Sequence, residues 1–204
     1  PSLCRNQAFI SGAWRDADTG DTLIVANPAT GETIGTVPQM GTTETVKAIA
    51  SAHRAQPKWA ALTAKDRAAI LRRWHDLIMA HQDDLALLMT SEQGKPLVEA
   101  EGEIAYAASY VEWFAEEAKR LYGTIIPSHR PDAEIMVMKQ PIGVVAAITP
   151  WNFPAAMITR KVAPALACGC AIIVKPASQT PLTALALNYL AEQAGVPAGV
   201  FSTI

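Results

Sequence analysis

Gly143-Val-Val-Ala-Ala-Ile148-Thr-Pro-Trp-Asn-Phe-Pro154 and Cys168-Gly-Cys170-Ala-Ile-Ile-Val-Lys175-Pro-Ala-Ser178 are the stretches whose reading decides the fold. Each is an apolar run too short for a buried helix that stops abruptly at a proline-containing turn, which is how a strand buried on both faces reads. The residues between them keep helical spacing, from an opening at Pro154 to a close at Gly169. A second helix is expected over Leu182–Ala194, followed by Gly195-Val-Pro-Ala-Gly199 and a third apolar run from Val200. The order is β-α-β-α-β. Apolar strands that alternate with helices predict an α/β fold, a Rossmann-like parallel sheet covered on both faces, over residues 143–204.

Working back from Gly143, Glu134-Ile-Met-Val-Met-Lys-Gln140 alternates as a strand with one wet face does, and residues 124–142 read as a protruding arm. Residues 1–123 read as a ribbon and a helical layer. Asn27-Pro-Ala-Thr-Gly31 turns between two short apolar runs, so residues 9–38 are expected to pair antiparallel. From Thr43 the period becomes helical until Pro57. Thr63 with Asp66 then resembles a helix start, a third helix stops at Gly94-Lys-Pro96, and a long one carries Ile104 to Leu121 and ends at Gly123.

The chain has 204 residues with 17 Lys plus Arg against 19 Asp plus Glu, so bulk charge gives no reason to expect a nucleic-acid partner. Its apolar runs fall short of the roughly 18–20 residues that span a bilayer, so no membrane partner is expected. The N-terminal residues lack a basic region followed by an apolar core, and no secretory signal is expected. Three cysteines make a poor disulfide framework and favour a reducing, cytoplasmic setting. The four histidines have no ligand spacing, and no metal site is expected.

Ligands of parallel sheets bind beyond the carboxyl ends of the strands, so the candidate residues follow Ile148 and Val174. Thr149-Pro-Trp-Asn-Phe-Pro154 sets an indole and an amide at a helix N-terminus, where backbone N–H groups and the dipole favour negative charge. Asn152 has two readings, a helix cap and an amide donor, and on residue type alone the cap is the commoner. Lys175-Pro-Ala-Ser178 offers a cation and a hydroxyl at the next strand end, although a lone Lys there is more often a solvated charge. Phe153, Met157 and Arg160 share a helix face, with core packing the commoner reading for the first two and a surface charge for the adjacent Lys161. Cys168 and Cys170 read as small buried hydrophobes. Neither a G-x-G-x-x-G nor a P-loop is present.

Taken together, Asn27-Pro-Ala-Thr-Gly-Glu32, Glu92-Gln-Gly-Lys-Pro96, Thr149-Pro-Trp-Asn-Phe-Pro154 and Lys175-Pro-Ala-Ser178 resemble the aldehyde dehydrogenase superfamily. Met157-Ile-Thr-Arg-Lys161 points to its succinate-semialdehyde dehydrogenase branch. The resemblance covers essentially the whole chain. It implies that the match is to the N-terminal part of proteins about twice as long or more, with the nucleophilic Cys, the general-base Glu and the catalytic domain downstream. The 204-residue chain alone is then expected to be inactive.

The resemblance implies oxidation of succinate semialdehyde to succinate, with glutarate semialdehyde or another aldehyde as the alternative, and a non-catalytic cofactor-binding or assembly module as a further one. It assigns Asn152 to the oxyanion hole. It assigns Ile148, Thr149, Pro150, Trp151, Asn152, Lys175, Pro176, Ala177 and Ser178 to the cofactor, and Phe153 and Arg160 to the substrate. NAD-preferring relatives usually place Glu three residues after the ribose-binding Lys; Ser178 stands there instead, so NADP is expected, with NAD possible. The family fold binds a dinucleotide without the usual Gly fingerprint. Residues 124–142 resemble the family's oligomerisation arm and imply a homo-oligomer, dimer or tetramer.

Overall fold

A computed structural model describes residues 3–204; Pro1 and Ser2, where the segment read for a secretory signal begins, lie outside the described residues. The N-terminal part contains β1 (Ala8–Ile10), β2 (Ala13–Arg15), β3 (Thr22–Ala26) and β4 (Thr33–Pro38). The helices α1 (Thr42–Ala60), α2 (Ala64–Ala80), α3 (Gln82–Gln93) and α4 (Leu97–Glu117) follow. The arm is β5 (Thr124–Ile126) with β6 (Ile135–Val137). The remainder alternates β7 (Val144–Ile148), α5 (Ala156–Ala167), β8 (Ala171–Lys175), α6 (Pro181–Ala194) and β9 (Phe201–Thr203).

The last three strands pair in parallel as the apolar runs predict. Successive residues of a strand face opposite ways, and β8 buries both sets. Ile172 and Val174 join the main core, whereas Ala171 and Ile173 pack with Ala48 and Ala52 of α1. Helix α1 therefore covers one face of the sheet. α5 and α6 cover the other, and α2, α3 and α4 form a further layer over them.

Several expectations need correction. The sheet is mixed and five-stranded, in the order β2-β1-β9-β8-β7, because β1 pairs antiparallel with β9 through Phe9 and Thr203. Only β3 and β4 form the separate ribbon. β7 is an edge strand, and Ala146 and Ile148 are exposed rather than covered. Helix α1 continues through Pro57 to Ala60, because Trp59 is buried and its indole donates to the Leu166 carbonyl at 3.0 Å. That anchoring offsets the hydrogen bond that proline cannot make. Helix α4 starts just after Pro96 and ends at Glu117, followed by a 3₁₀ turn at Ala118–Arg120.

The arm strand spans Ile135–Val137 only, and both of its faces are exposed rather than one. Its partner, β5, was not anticipated. Gly123 permits the pairing: a Cβ there would run into the Val137 carbonyl oxygen. Among the described residues no helix is long and apolar enough to cross a membrane.

Candidate functional site

The carboxyl ends of β7 and β8 lie side by side, and the Thr149 N–H donates to the Lys175 carbonyl at 3.1 Å. The two loops singled out by the sequence are thus joined at their roots. Thr149 and Pro176 are buried and Ala177 is half-buried. Ile148, Pro150, Trp151, Asn152, Phe153, Lys175 and Ser178 are all exposed along this rim. The helix starts later than Pro154 suggests, with Ala155 as its N-cap, so Asn152 is not a cap. Its side-chain amide meets no hydrogen-bond partner among the described residues. A free amide donor on an exposed turn is available to a ligand oxygen.

The N-terminus of α5 does not offer its backbone donors as well, contrary to the expectation from its dipole. Glu103, from the apolar face of α4, accepts from the Ala155 N–H at 2.9 Å and the Ala156 N–H at 3.2 Å. Glu92 does the same for α6, accepting from Leu182 and Thr183, each at 2.7 Å. At the far ends, Arg67 donates to the Ala167 carbonyl at 3.0 Å and Arg73 to the Ala194 carbonyl at 2.9 Å. Both crossover helices are therefore held between a carboxylate at the positive end of the dipole and a guanidinium at the negative end. With those N–H groups occupied, neither N-terminus can take a phosphate in the way a Gly-rich loop would. The missing fingerprint has a structural counterpart.

Burial pushes the Glu92 carboxyl up to about 7, against the pull of the Thr183 and Leu182 N–H groups. A carboxyl raised above its usual 4.5 binds its proton more tightly when folded, so its contribution to stability is full below about 4.5 and lost as pH rises through about 7. The gap corresponds to roughly 3 kcal/mol. Urea unfolding should therefore show the parent losing stability relative to Glu92→Gln between pH 5 and pH 8. A difference that stays flat over that range would remove the raised carboxyl.

The Lys175 ammonium folds back on its loop, donating to the Pro176 carbonyl at 2.8 Å and to Ser178 Oγ at 3.4 Å. Among the described residues no carboxylate pairs with it. This loop lines a cavity of about 570 Å³ together with Met40 ahead of α1 and with Thr42 and Val46 at the start of that helix. Further along α5, Arg160 is exposed, with its guanidinium carbon 5.4 Å from the Tyr110 ring centroid. The Tyr110 hydroxyl is bonded in turn to that of Tyr106. No carboxylate pairs with Arg160 among the described residues.

Phe153 and Met157 are not core residues. Phe153 is exposed beneath the Lys95 ammonium, 4.5 Å from its ring centroid, and Met157 is half-buried. Lys161, read as a surface charge, is partly buried and donates to the Met157 carbonyl at 3.1 Å; burial, with Arg160 adjacent, lowers its pKa. Cys170 is buried but Cys168 only partly so, with their sulfurs 3.6 Å apart. Both precede β8, at the opposite end of the sheet from the Asn152 turn, so neither can serve there as a nucleophile.

Sequence reasoning quoted Glu92 and Lys95 within a motif but assigned them no role, and it missed Glu103, Tyr110 and the α1 wall. A signal for the carboxylates was present: Glu103 occupies the apolar stripe of Ala100, Ala107 and Val111 on α4, and Glu92 follows Met89 one turn later on α3. An acid on a buried stripe needs a partner. Nothing in the chain order indicates which backbone amides supply it.

Residues 14–204 match the model of the aldehyde dehydrogenase family. Over 99% of its length the chain is 67% identical to a glutarate-semialdehyde dehydrogenase of Pseudomonas putida KT2440 and covers 42% of that protein. It is 64% identical, over its whole length, to the NADP(+) succinate-semialdehyde dehydrogenase GabD of Escherichia coli K12, again covering 42%. A crystal structure of an NADP-dependent enzyme of Escherichia coli superposes with a TM-score of 0.99 at 64% identity, over all of this chain and 42% of that one. The chain thus spans less than half the length of the relatives it matches.

Proposed function

The chain belongs to the aldehyde dehydrogenase family, and on that premise we propose that the whole protein oxidises a short semialdehyde carrying a carboxylate at its far end. Glutarate semialdehyde is the first substrate and succinate semialdehyde the second. The relative named for the five-carbon substrate is 67% identical and the one named for the four-carbon substrate 64%, which reverses the order expected from the Arg160 motif. The observation that carries the reading is Arg160, an exposed guanidinium with no carboxylate partner among the described residues, on the helix that follows the Asn152 turn. Steady-state kinetics with glutarate semialdehyde, succinate semialdehyde and butanal test it. Equal kcat/KM for all three would remove the carboxylate-binding role.

The residues of this chain divide the work. The Asn152 amide donates to the aldehyde oxygen as negative charge develops on it, a contribution that grows towards the transition state. Arg160 holds the far carboxylate through paired N–H donors, and Phe153 and Met157 lie along the methylenes. Ile148, Thr149, Pro150 and Trp151 form the rim next to the cofactor. Pro176 and Ala177 carry Lys175 and Ser178 to its ribose. A bound nicotinamide dinucleotide supplies the hydride acceptor. The donor set fits such a group, since an ammonium and a hydroxyl 3.4 Å apart, without a neighbouring carboxylate, suit ribose oxygens.

The same pair favours NADP over NAD. A phosphate on the ribose meets Lys175 and Ser178 donors and no repelling charge. Ser178→Glu should turn the preference towards NAD, read as the ratio of kcat/KM for the two cofactors. A parent that already favours NAD more than tenfold would refute this.

The arm exposes Ile125, Met136, Val137 and Met138, an apolar strand pair whose open edge suits a second copy of the protein, giving a homo-oligomer. The free cysteines suit a reducing, cytoplasmic setting.

A further inference from the structure

We propose that Lys95 and Glu103 are positioning residues that aim the Asn152 amide, a role that rests on the oxyanion reading given above. The turn from Pro150 to Pro154 is poorly tethered by its own backbone. Both prolines lack an N–H, and among the described residues neither the Trp151 nor the Asn152 N–H finds a partner. The Asn152 carbonyl is held by a side chain instead, the Lys95 ammonium at 3.2 Å.

Lys95 reaches this point from the turn between α3 and α4. Gly94 ends α3 in the left-handed region, at φ +87°, and turns the chain so that Lys95 points towards α5. Its ammonium is ion-paired with Glu103 Oε2 and lies over the Phe153 ring. The other oxygen of Glu103 takes the Ala155 and Ala156 N–H groups. One ion pair therefore fixes the turn at Asn152, Phe153, Ala155 and Ala156. An ammonium suits the task because its donors diverge and can serve a carboxylate, a carbonyl and a ring face together.

The Lys95 side chain is 10% exposed and that of Glu103 2%. Desolvation of two charges so deeply buried offsets much of their mutual attraction. What the pair adds here is direction. With the Asn152 carbonyl pinned, the orientation of that peptide and the exit of its side chain are set before any ligand arrives.

The test uses the intact enzyme and the double variant Lys95→Met/Glu103→Gln, which removes both charges together. The glutamine keeps an amide oxygen for the Ala155 N–H, so α5 retains its start. The expected result is a fall in kcat/KM for the semialdehyde of about tenfold to a hundredfold, the usual consequence of misplacing a reacting group by about 1 Å. NADPH binding, read by fluorescence titration, should be unchanged. Introduced into an Asn152→Ala background, the double variant should cost little more, because the group it aims is gone. Lys95→Arg, which keeps the charge but replaces the diverging donors of the ammonium with a planar fork unsuited to serving the carboxylate and the Asn152 carbonyl together, should move kcat/KM in the same direction by less. Unaltered kcat/KM in both Lys95 variants, or a loss that multiplies in full with that of Asn152→Ala, would overturn the proposal while leaving the oxyanion reading in place. Full turnover in Asn152→Ala alone would overturn both.

Discussion

Asn152→Ala in the intact enzyme is expected to lower kcat by about 10²–10³ while leaving cofactor affinity and thermal stability close to the parent values. The structure separates this outcome from the other role an asparagine can have at such a position. A helix cap lost to alanine costs about 1 kcal/mol of stability and spares turnover. Here the cap is Ala155, Glu103 satisfies the first N–H groups of α5, and the Asn152 amide is exposed without a partner among the described residues. Removing it therefore breaks no bond of the fold. The matched measurements are kcat, the dissociation constant for NADPH and the unfolding midpoint. A midpoint several degrees lower with kcat intact would make Asn152 a structural residue.

The core of the fold was legible because its signals are local. An apolar run of five residues, a proline turn and a helical period identify β7, α5, β8 and α6 without knowledge of what packs on them. The β1 pairing with β9 was not legible, since Phe9 and Thr203 meet across nearly the whole chain and neither carries a mark of the other. The strand β5 is three residues long, too short for a period, and only the steric need for Gly123 betrays it.

The candidate site divides in the same way. Asn152, Lys175, Ser178 and Arg160 stand in motifs contiguous in sequence, and the structure brings the two loops together as the strand order requires. The groups that hold those loops come from α3, α4 and the turn between them, about 50 to 90 residues away in the chain. Their sequence trace is only an acid or a lysine where an apolar residue would be ordinary. Proline and helix boundaries misled for a related reason. Whether a helix runs through Pro57, or waits until Ala156 to begin, depends on Trp59 reaching Leu166 and on Glu103 reaching Ala155.

Arg160→Ala is the second large effect, and it falls on substrate affinity rather than on chemistry. The guanidinium sits on α5 after the Asn152 turn, flanked by the Tyr110 ring and by Lys161, with no acid among the described residues to neutralise it. The two adjacent cations repel each other, Lys161 is held by the Met157 carbonyl, and the Tyr110 ring face stabilises the Arg160 guanidinium, which leaves its N–H donors free for an anion. On the proposed function, a semialdehyde whose aldehyde oxygen meets Asn152 would direct its carboxylate towards Arg160. Loss of such a charge pair costs about 2–4 kcal/mol, so KM for glutarate and succinate semialdehydes should rise by roughly one to three decades. Values of kcat at saturation should change far less, because the contact is made equally in the ground and transition states. Butanal, with no carboxylate, should be spared. The two semialdehydes differ by one methylene, which a single pocket separates by only about 10–200-fold, so both should suffer together. An equal loss for butanal would mean that Arg160 supports the helix and not the substrate. Loss for one semialdehyde alone would place the carboxylate contact of the other on a different residue.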